Sequence, residues 1–291
     1  MQNIRKIYAC SAGAMCAIFF CLVRHHRAAD TPPPPESACT WAAVADYIIG
    51  RPWEDIFTID ASRIITAFGT RGLFDRGTLE TVFASFFEVL DIPLNITLAD
   101  FYTKVAPIEL HFFTFELHSF RLVDLSRVTH PDLPLFEALH MTCSLPIFMT
   151  PVLRTATAEV ATTPATPTHE CYMDGGVITN YPLRQCIAAG TDPATILGIK
   201  NMYDTADKST RVVSPTSSLF DYFTAFVFRM IDRIKDPDDA SIPYEIRSPT
   251  EYMNIHNVTL AVGSKIMRRN MWEFGTNVGR TWLAKQSHAG R

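Results

Sequence analysis

Two short segments carry residue types that could do chemistry. The first is Ala9-Cys10-Ser11-Ala12-Gly13. A serine with small residues two before and two after it, set between apolar stretches, fits a sharp strand–turn–helix elbow. The small residues let strand and helix approach closely, and strain at the turn pushes the hydroxyl clear of the backbone. A serine hydroxyl is a weak nucleophile at its free pKa and needs an adjacent base. The second segment is Tyr172-Met173-Asp174-Gly175-Gly176, where an acid ends a strand-like run and two glycines break it. Taken singly, both are common. Ser11 could be a small residue inside a core or membrane helix, and Asp174 a turn carboxylate.

The elements around Ser11 allow two readings. Ile7 to Val23 is a 17-residue uncharged stretch, preceded by Arg5 and Lys6 and followed by Arg24, His25, His26 and Arg27. That composition suits a signal peptide or a short anchor over residues 7–23, although spanning a bilayer usually takes about 20 apolar residues. The same residues also read as a strand over 4–9, a turn over 10–13 and a buried helix over 14–24.

Further along, Trp41–Ile49 reads as a short helix, and Asp60 or Ser62 as a helix entry. Thr70–Gly77 reads as a Gly-punctuated loop. Leu79, Val82, Phe83, Phe86, Phe87 and Leu90 recur at helical spacing within Thr78–Leu90. Thr97 followed by Asp100 resembles a capping box. Glu109–Glu116 has strand composition, with Phe120–Asp124 as its hairpin partner. Leu135–Cys143 and Leu219–Ile234 read as helices, Ile196–Ile199 as a buried strand, Val258–Val262 as a further strand, and Lys265–Lys285 as a closing helix. The Pro run Thr31–Glu36 reads as an extended loop. Residues 155–168, rich in Thr, Ala and Pro, read as a surface insertion in a hairpin. Alternating strands and helices favour a three-layer α/β/α sandwich with a mainly parallel central sheet, as a single domain over 1–291.

Three segments then line up: Ala9–Gly13, the run Met141-Thr142-Cys143-Ser144-Leu145-Pro146-Ile147-Phe148, and Asp174-Gly175-Gly176-Val177-Ile178-Thr179-Asn180-Tyr181-Pro182. In that order and spacing they resemble the patatin-like phospholipase family. Gly72-Leu73-Phe74-Asp75 is similar to that family's lid-side loop. Thr129-His130-Pro131, leading into Leu135 and Glu137-Ala138-Leu139, is similar to one of its helix starts. The resemblance implies a Ser–Asp dyad in which Ser11 attacks an acyl ester and Asp174 takes and returns the proton. It gives Ala12 and Gly13 to the elbow and oxyanion site, and Gly175 and Gly176 to the base loop. It implies acyl-lipid substrates such as phospholipids, transient contact with membrane surfaces, a cytoplasmic and peripheral location, and no cofactor or metal. None of the nine histidines stands where the family uses one. The sequence departs from the family in two ways. Ala9 replaces the first elbow glycine, and the Gly-rich oxyanion loop with its basic neighbour is not found upstream of Ser11. A catalytically weak or inactive lipid-binding relic is therefore the rival expectation, with the residue 7–23 anchor as the third.

Composition excludes several classes. Hydrophobic residues make up 47% and charged residues 19%, so a chain this long can bury a full core and is not globally disordered. A net charge of −4 argues against nucleic-acid binding through bulk positive charge. Seven scattered cysteines without a CxxC pair suggest neither a disulfide scaffold nor a zinc ribbon. Near the C-terminus, Met267, Met271, Phe274, Val278 and Trp282 share a helix face. A core-facing stripe is the favoured reading, over a basic amphipathic helix resting on a membrane.

Overall fold

The computed structural model describes residues 3–28, 39–155, 169–202, 213–234, 241–249 and 255–289. The Pro run at 31–36 and residues 156–168 lie outside the described residues. In chain order the elements begin β1 (Lys6–Ala9), α1 (Ala12–Ala28), α2 (Trp41–Gly50), α3 (Ala61–Thr70), β2 (Gly72–Phe74), α4 (Arg76–Val89) and α5 (Leu98–Lys104). There follow β3 (Glu109–Glu116), β4 (Arg121–Ser126), α6 (Leu135–Cys143), β5 (Ile147–Met149), β6 (Val152–Thr155), β7 (His169–Asp174) and α7 (Leu183–Ala188). The chain then continues through β8 (Leu197–Met202), α8 (Leu219–Ile234), β9 (Tyr244–Pro249), α9 (Ile255–Gly263) and α10 (Lys265–Ala289). The architecture is α/β, a central sheet flanked by helices. It divides into two compact units: Met1–Cys39 with Ile59–Pro182 and Phe226–Asp238, and Thr40–Thr58 with Leu183–Ala225 and Asp239–Arg291.

In the first unit β3 is the central strand, and all eight of its residues are buried. β1 runs parallel to it, and β4 and β7 run antiparallel. β6 adds antiparallel to β7, with Thr155 opposite His169. β2 and β5 form a separate parallel pair. Much of 7–23 belongs to this unit's core: Ala14, Ala17, Ile18, Phe19, Cys21, Leu22 and Val23 of α1 are all buried. Phe19 meets Phe83 of α4 with ring centroids 4.5 Å apart, and Phe87 meets Phe136 of α6 at 5.0 Å. Aromatic packing thus locks α1, α4 and α6 together. Residues 7–23 form β1, a turn and a core helix rather than a membrane span. No helix among the described residues is long and apolar enough to cross a membrane.

Local signals account for many boundaries. Asp60 caps α3, its carboxylate accepting the Arg63 N–H, and Thr97 caps α5 by accepting the Asp100 N–H. Two expectations fail in the second unit. Val258–Val262, read as a strand, lies in helix α9, because a short apolar run fits either period and its packing decides. Ile196–Ile199, read as buried, contributes to β8, where only Gly198 is buried and the partner is the parallel strand β9. The apolar face of α10 is half-buried, as its core-facing reading expects. Arg268, on the same helix, is buried. It donates to the carbonyls of Ile49, Arg51, Ala261 and Val262, closing the C-terminal ends of α2 and α9.

Candidate active site

Strand register decides where Ser11 and Asp174 lie. Phe112 of β3 pairs with both Ala9 of β1 and Leu125 of β4. Thr114 pairs with both Asp174 of β7 and Val123 of β4. A strand has two edges, and β4 occupies one from His111 to Glu116, alongside β1 at His111 and Phe112 and alongside β7 from Thr114 to Glu116, so β1 and β7 share the other. β1 runs with β3 and β7 against it. Their C-terminal ends therefore meet head-on beside Phe113, β1 delivering Ser11 and β7 delivering Asp174.

The elbow is strained, as its sequence suggests. Ser11 has φ +51°, in the left-handed region that costs a residue with a Cβ roughly 1–2 kcal/mol. The turn is closed by the Gly13 N–H donating to the Cys10 carbonyl at 2.9 Å and the Ala14 N–H donating to the Ser11 carbonyl at 2.9 Å. α1 starts at Ala12, so the Ala12 amide is among the first-turn donors that have no intrahelical acceptor. The Gly13 amide is occupied within the turn. A Cβ placed on Gly13 would sit 3.6 Å from the Ala9 Cβ. The two small positions therefore face each other across the strand–helix junction, with room for an alanine at position 9. Ser11 is half-buried, while Ala12 and Gly13 are exposed.

Asp174 is buried at 3% exposure. Its Oδ1 accepts the Gly176 N–H at 2.7 Å, and its own N–H donates to the Ser144 carbonyl at 3.0 Å. Gly175 lies against β3: a Cβ there would come within 2.2 Å of the Phe113 carbonyl oxygen. Only glycine allows the chain to turn this close to the central strand. At Gly176 an added Cβ would meet Asn180 Oδ1 at 2.8 Å, which gives Asn180 a part in shaping the loop.

The structure adds residues to which sequence reasoning gave no role. Thr142, fully buried near the end of α6, accepts the Ser11 N–H at 3.1 Å and donates its hydroxyl to the Phe113 carbonyl at 2.5 Å. It bridges the elbow to the central strand. The Thr114 hydroxyl lies 2.7 Å from the Met173 carbonyl and 3.0 Å from that of Met141, linking β3 to β7 and α6. The Cys10 thiol reaches the Thr179 carbonyl at 3.1 Å, which ties the elbow to the loop after Asp174. Burial pushes the Cys143 thiol well above its usual range, and the nearby Asp174, Cys10 and Cys16 push it the same way. It is an inert packing group beside the site. The available signal was a buried-looking helix, Leu135–Cys143, ending in Thr142, Cys143 and Ser144. Small polar residues on an apolar helix need partners, and here Thr142 finds the elbow and β3, while the Ser144 hydroxyl donates to the carbonyls of His140 and Thr150.

Among the described residues, no group of three or more His, Cys, Asp or Glu side chains could hold a metal ion.

Compared with known proteins, residues 1–187 match the family model described as patatin-like phospholipase. Among solved structures, the crystal structure of VipD from Legionella pneumophila aligns at 15% identity with a TM-score of 0.37. The alignment covers 85% of this chain and 56% of that chain, so this chain spans little more than half of VipD's length. No curated protein matches the sequence.

Proposed function

The chain belongs to the patatin-like phospholipase family, and from that premise we propose that it hydrolyses acyl-ester bonds of lipids through a Ser11–Asp174 dyad. Glycerophospholipids and related acyl lipids are the substrates this reading names. The observation that carries it is the head-on approach of β1 and β7 along one edge of β3, with a strained serine at the end of one strand and a buried carboxylate at the end of the other.

In the first half-reaction the Ser11 hydroxyl attacks the ester carbonyl carbon, and its proton passes to the Asp174 carboxylate. Charge collects on the carbonyl oxygen in the tetrahedral intermediate. The Ala12 N–H, at the positive end of α1, is the donor within this chain that faces that charge. When the intermediate collapses, the proton returns to the leaving alcohol and an acyl-Ser11 ester remains. Water then attacks the acyl-enzyme, Asp174 takes the water's proton and gives it to Ser11 Oγ, and the free fatty acid leaves. The Gly176 N–H holds the Asp174 carboxylate in place through Oδ1.

Labelling with a fluorophosphonate probe tests the dyad. Wild type should react covalently, whereas S11A and D174N should not. Asn keeps the size and the Oδ1 acceptor of Asp174, so D174N separates proton transfer from loop architecture. A folded wild type that ignores the probe would overturn the reading.

A further inference from the structure

We propose that Cys10 and Thr179 form a strut between the elbow and the loop of the candidate base, which makes Cys10 a positioning residue for the dyad; the proposal rests on the Ser11–Asp174 reading. Cys10 directly precedes Ser11 and is buried at 5% exposure. Its thiol donates to the Thr179 carbonyl at 3.1 Å. Its own carbonyl accepts the Gly13 N–H at 2.9 Å. One residue thus closes the elbow with its main chain and ties it to the next loop with its side chain.

The far end of the strut is fixed too. Thr179 is buried, its N–H donates to the Gly175 carbonyl at 2.9 Å, and its hydroxyl donates to the Tyr181 carbonyl at 3.3 Å. Gly175 directly follows Asp174 and lies against the Phe113 carbonyl. A displacement at Cys10 therefore reaches Asp174 through one side-chain bond and one tight turn. The strut also crosses a gap that the sheet leaves open. Among the described strand pairings, β1 and β7 each pair with β3 and not with one another. The central strand sets each strand end separately, and the strut adds a tie between the two ends.

Magnitudes separate positioning from stability here. A thiol is a weak donor, and a buried free cysteine behaves mainly as a small hydrophobe, so this bond adds little to the stability of the fold. Proton transfer is more demanding. The serine oxygen and the carboxylate must come within hydrogen-bond reach, and a misplacement of about 1 Å costs on the order of 10²-fold in rate. Loss of the strut should therefore appear in turnover before it appears in stability. Thr142 acts along a different direction, since it holds the Ser11 amide to the Phe113 carbonyl of the central strand. Thr142 sets the elbow against the sheet, and Cys10 sets it against the base loop.

The test compares C10A with C10S in the full chain. Alanine and serine are both smaller than cysteine, and serine alone keeps a donor for the Thr179 carbonyl. The measurements are kcat and KM on a short soluble ester, the rate of fluorophosphonate labelling, and hydrogen exchange of the segment 174–182 by mass spectrometry. That segment contains the hydrogen-bonded amides of Gly176, Ile178 and Thr179. C10A should lower kcat and the labelling rate at least ~10-fold with KM near the wild-type value, and should speed exchange in the segment. C10S should restore most of the turnover and the slow exchange. Equal turnover in C10A and C10S would make Cys10 a packing residue and overturn the proposal. A fall in kcat in C10A without faster exchange, or faster exchange without a fall in kcat, would overturn it as well. A wild type without esterase activity, whose segment still exchanges faster in C10A and is restored in C10S, would uphold the strut and remove the hydrolase reading. An active wild type with C10A and C10S alike would do the reverse.

Discussion

The two ends of the β1–β3 pair hold the same strands together by different means. At the Lys6–Glu109 end the means are charges. Glu109 lies 2.8 Å from Lys6 and 2.8 Å from Arg127, and His111 bridges Glu109 at 3.0 Å and Asp124 at 2.8 Å. Burial alone would raise Glu109, but hydrogen bonds from Lys6 and His111 outweigh it and hold the carboxyl at about 2. Burial would likewise lower His111, and its bonds to Asp124 and Glu109 reverse the direction. At the Ala9–Phe112 end, where Ser11 and Asp174 arrive, the Thr142 and Thr114 hydroxyls and the Ser144 carbonyl set the geometry. Charges tolerate loose geometry and respond to pH, whereas hydroxyl and backbone bonds are short and directional and fix positions at any ordinary pH. The comparison therefore assigns a pH-dependent contribution to one end and the positioning of Ser11 and Asp174 to the other.

Substitutions at the positioning end should give the largest effects. S11A and D174N should each lower lipid hydrolysis by at least ~10³-fold with the melting temperature nearly unchanged, because in the proposed dyad nucleophile and base act as a unit. Retained turnover in either variant would remove that residue from the reaction. G175A comes next. Its Cβ has no room against the Phe113 carbonyl, and overpacking here should cost about 3 kcal/mol in denaturant unfolding along with most of the activity. T142V follows. It strips the Ser11 amide and the Phe113 carbonyl of their partner, which should cost about 2 kcal/mol and lower kcat more than KM suffers.

Smaller effects are expected from the charged end. E109Q should cost about 1–2 kcal/mol, allowing for the partial exposure of Lys6 and Arg127, and should leave kcat of the folded enzyme as it was. A fall in kcat as large as that of T142V would break the division between the two ends. The pH dependence follows from the signs. A carboxylate held at about 2 in the folded state contributes stability above its ordinary value near 4.5, and that contribution is lost as pH falls from there toward 2. Glu116 behaves in the same way: burial opposes its ionisation, and donors from Ser119, Cys171 and His118 overcome this. His111, raised, contributes fully below about 6.5 and loses its contribution as pH rises through its folded value. Unfolding of E109Q should therefore be flatter than wild type between pH 4.5 and 2. G13A should have the smallest effect, under about 1 kcal/mol, because its Cβ would meet Ala9 at ordinary contact distance. A loss equal to that of G175A would show that the elbow needs glycine at position 13.

Much of the fold was legible in local sequence. α6, β3 and α8 have the limits their composition suggested, because periodicity, Pro boundaries and β-branched or aromatic runs act over a few residues. The strained serine was legible too, from small residues at fixed offsets. Thr142 was not, since nothing in its neighbours says that Phe113 and the Ser11 amide will come to it. α9 was misread because an apolar run of its length carries no decisive period.

By itself, then, the sequence determined the order of the segments and the residues proposed for the chemistry: a serine where the chain must turn sharply, an acid where two glycines let it approach a strand. The tertiary structure alone decided that β1 and β7 share one edge of β3 and run toward each other. Strand direction and register are settled by burial on both faces of a sheet assembled from segments far apart in the chain. That is a global sum over many contacts, with no local signature for Ser11 or Asp174 to carry.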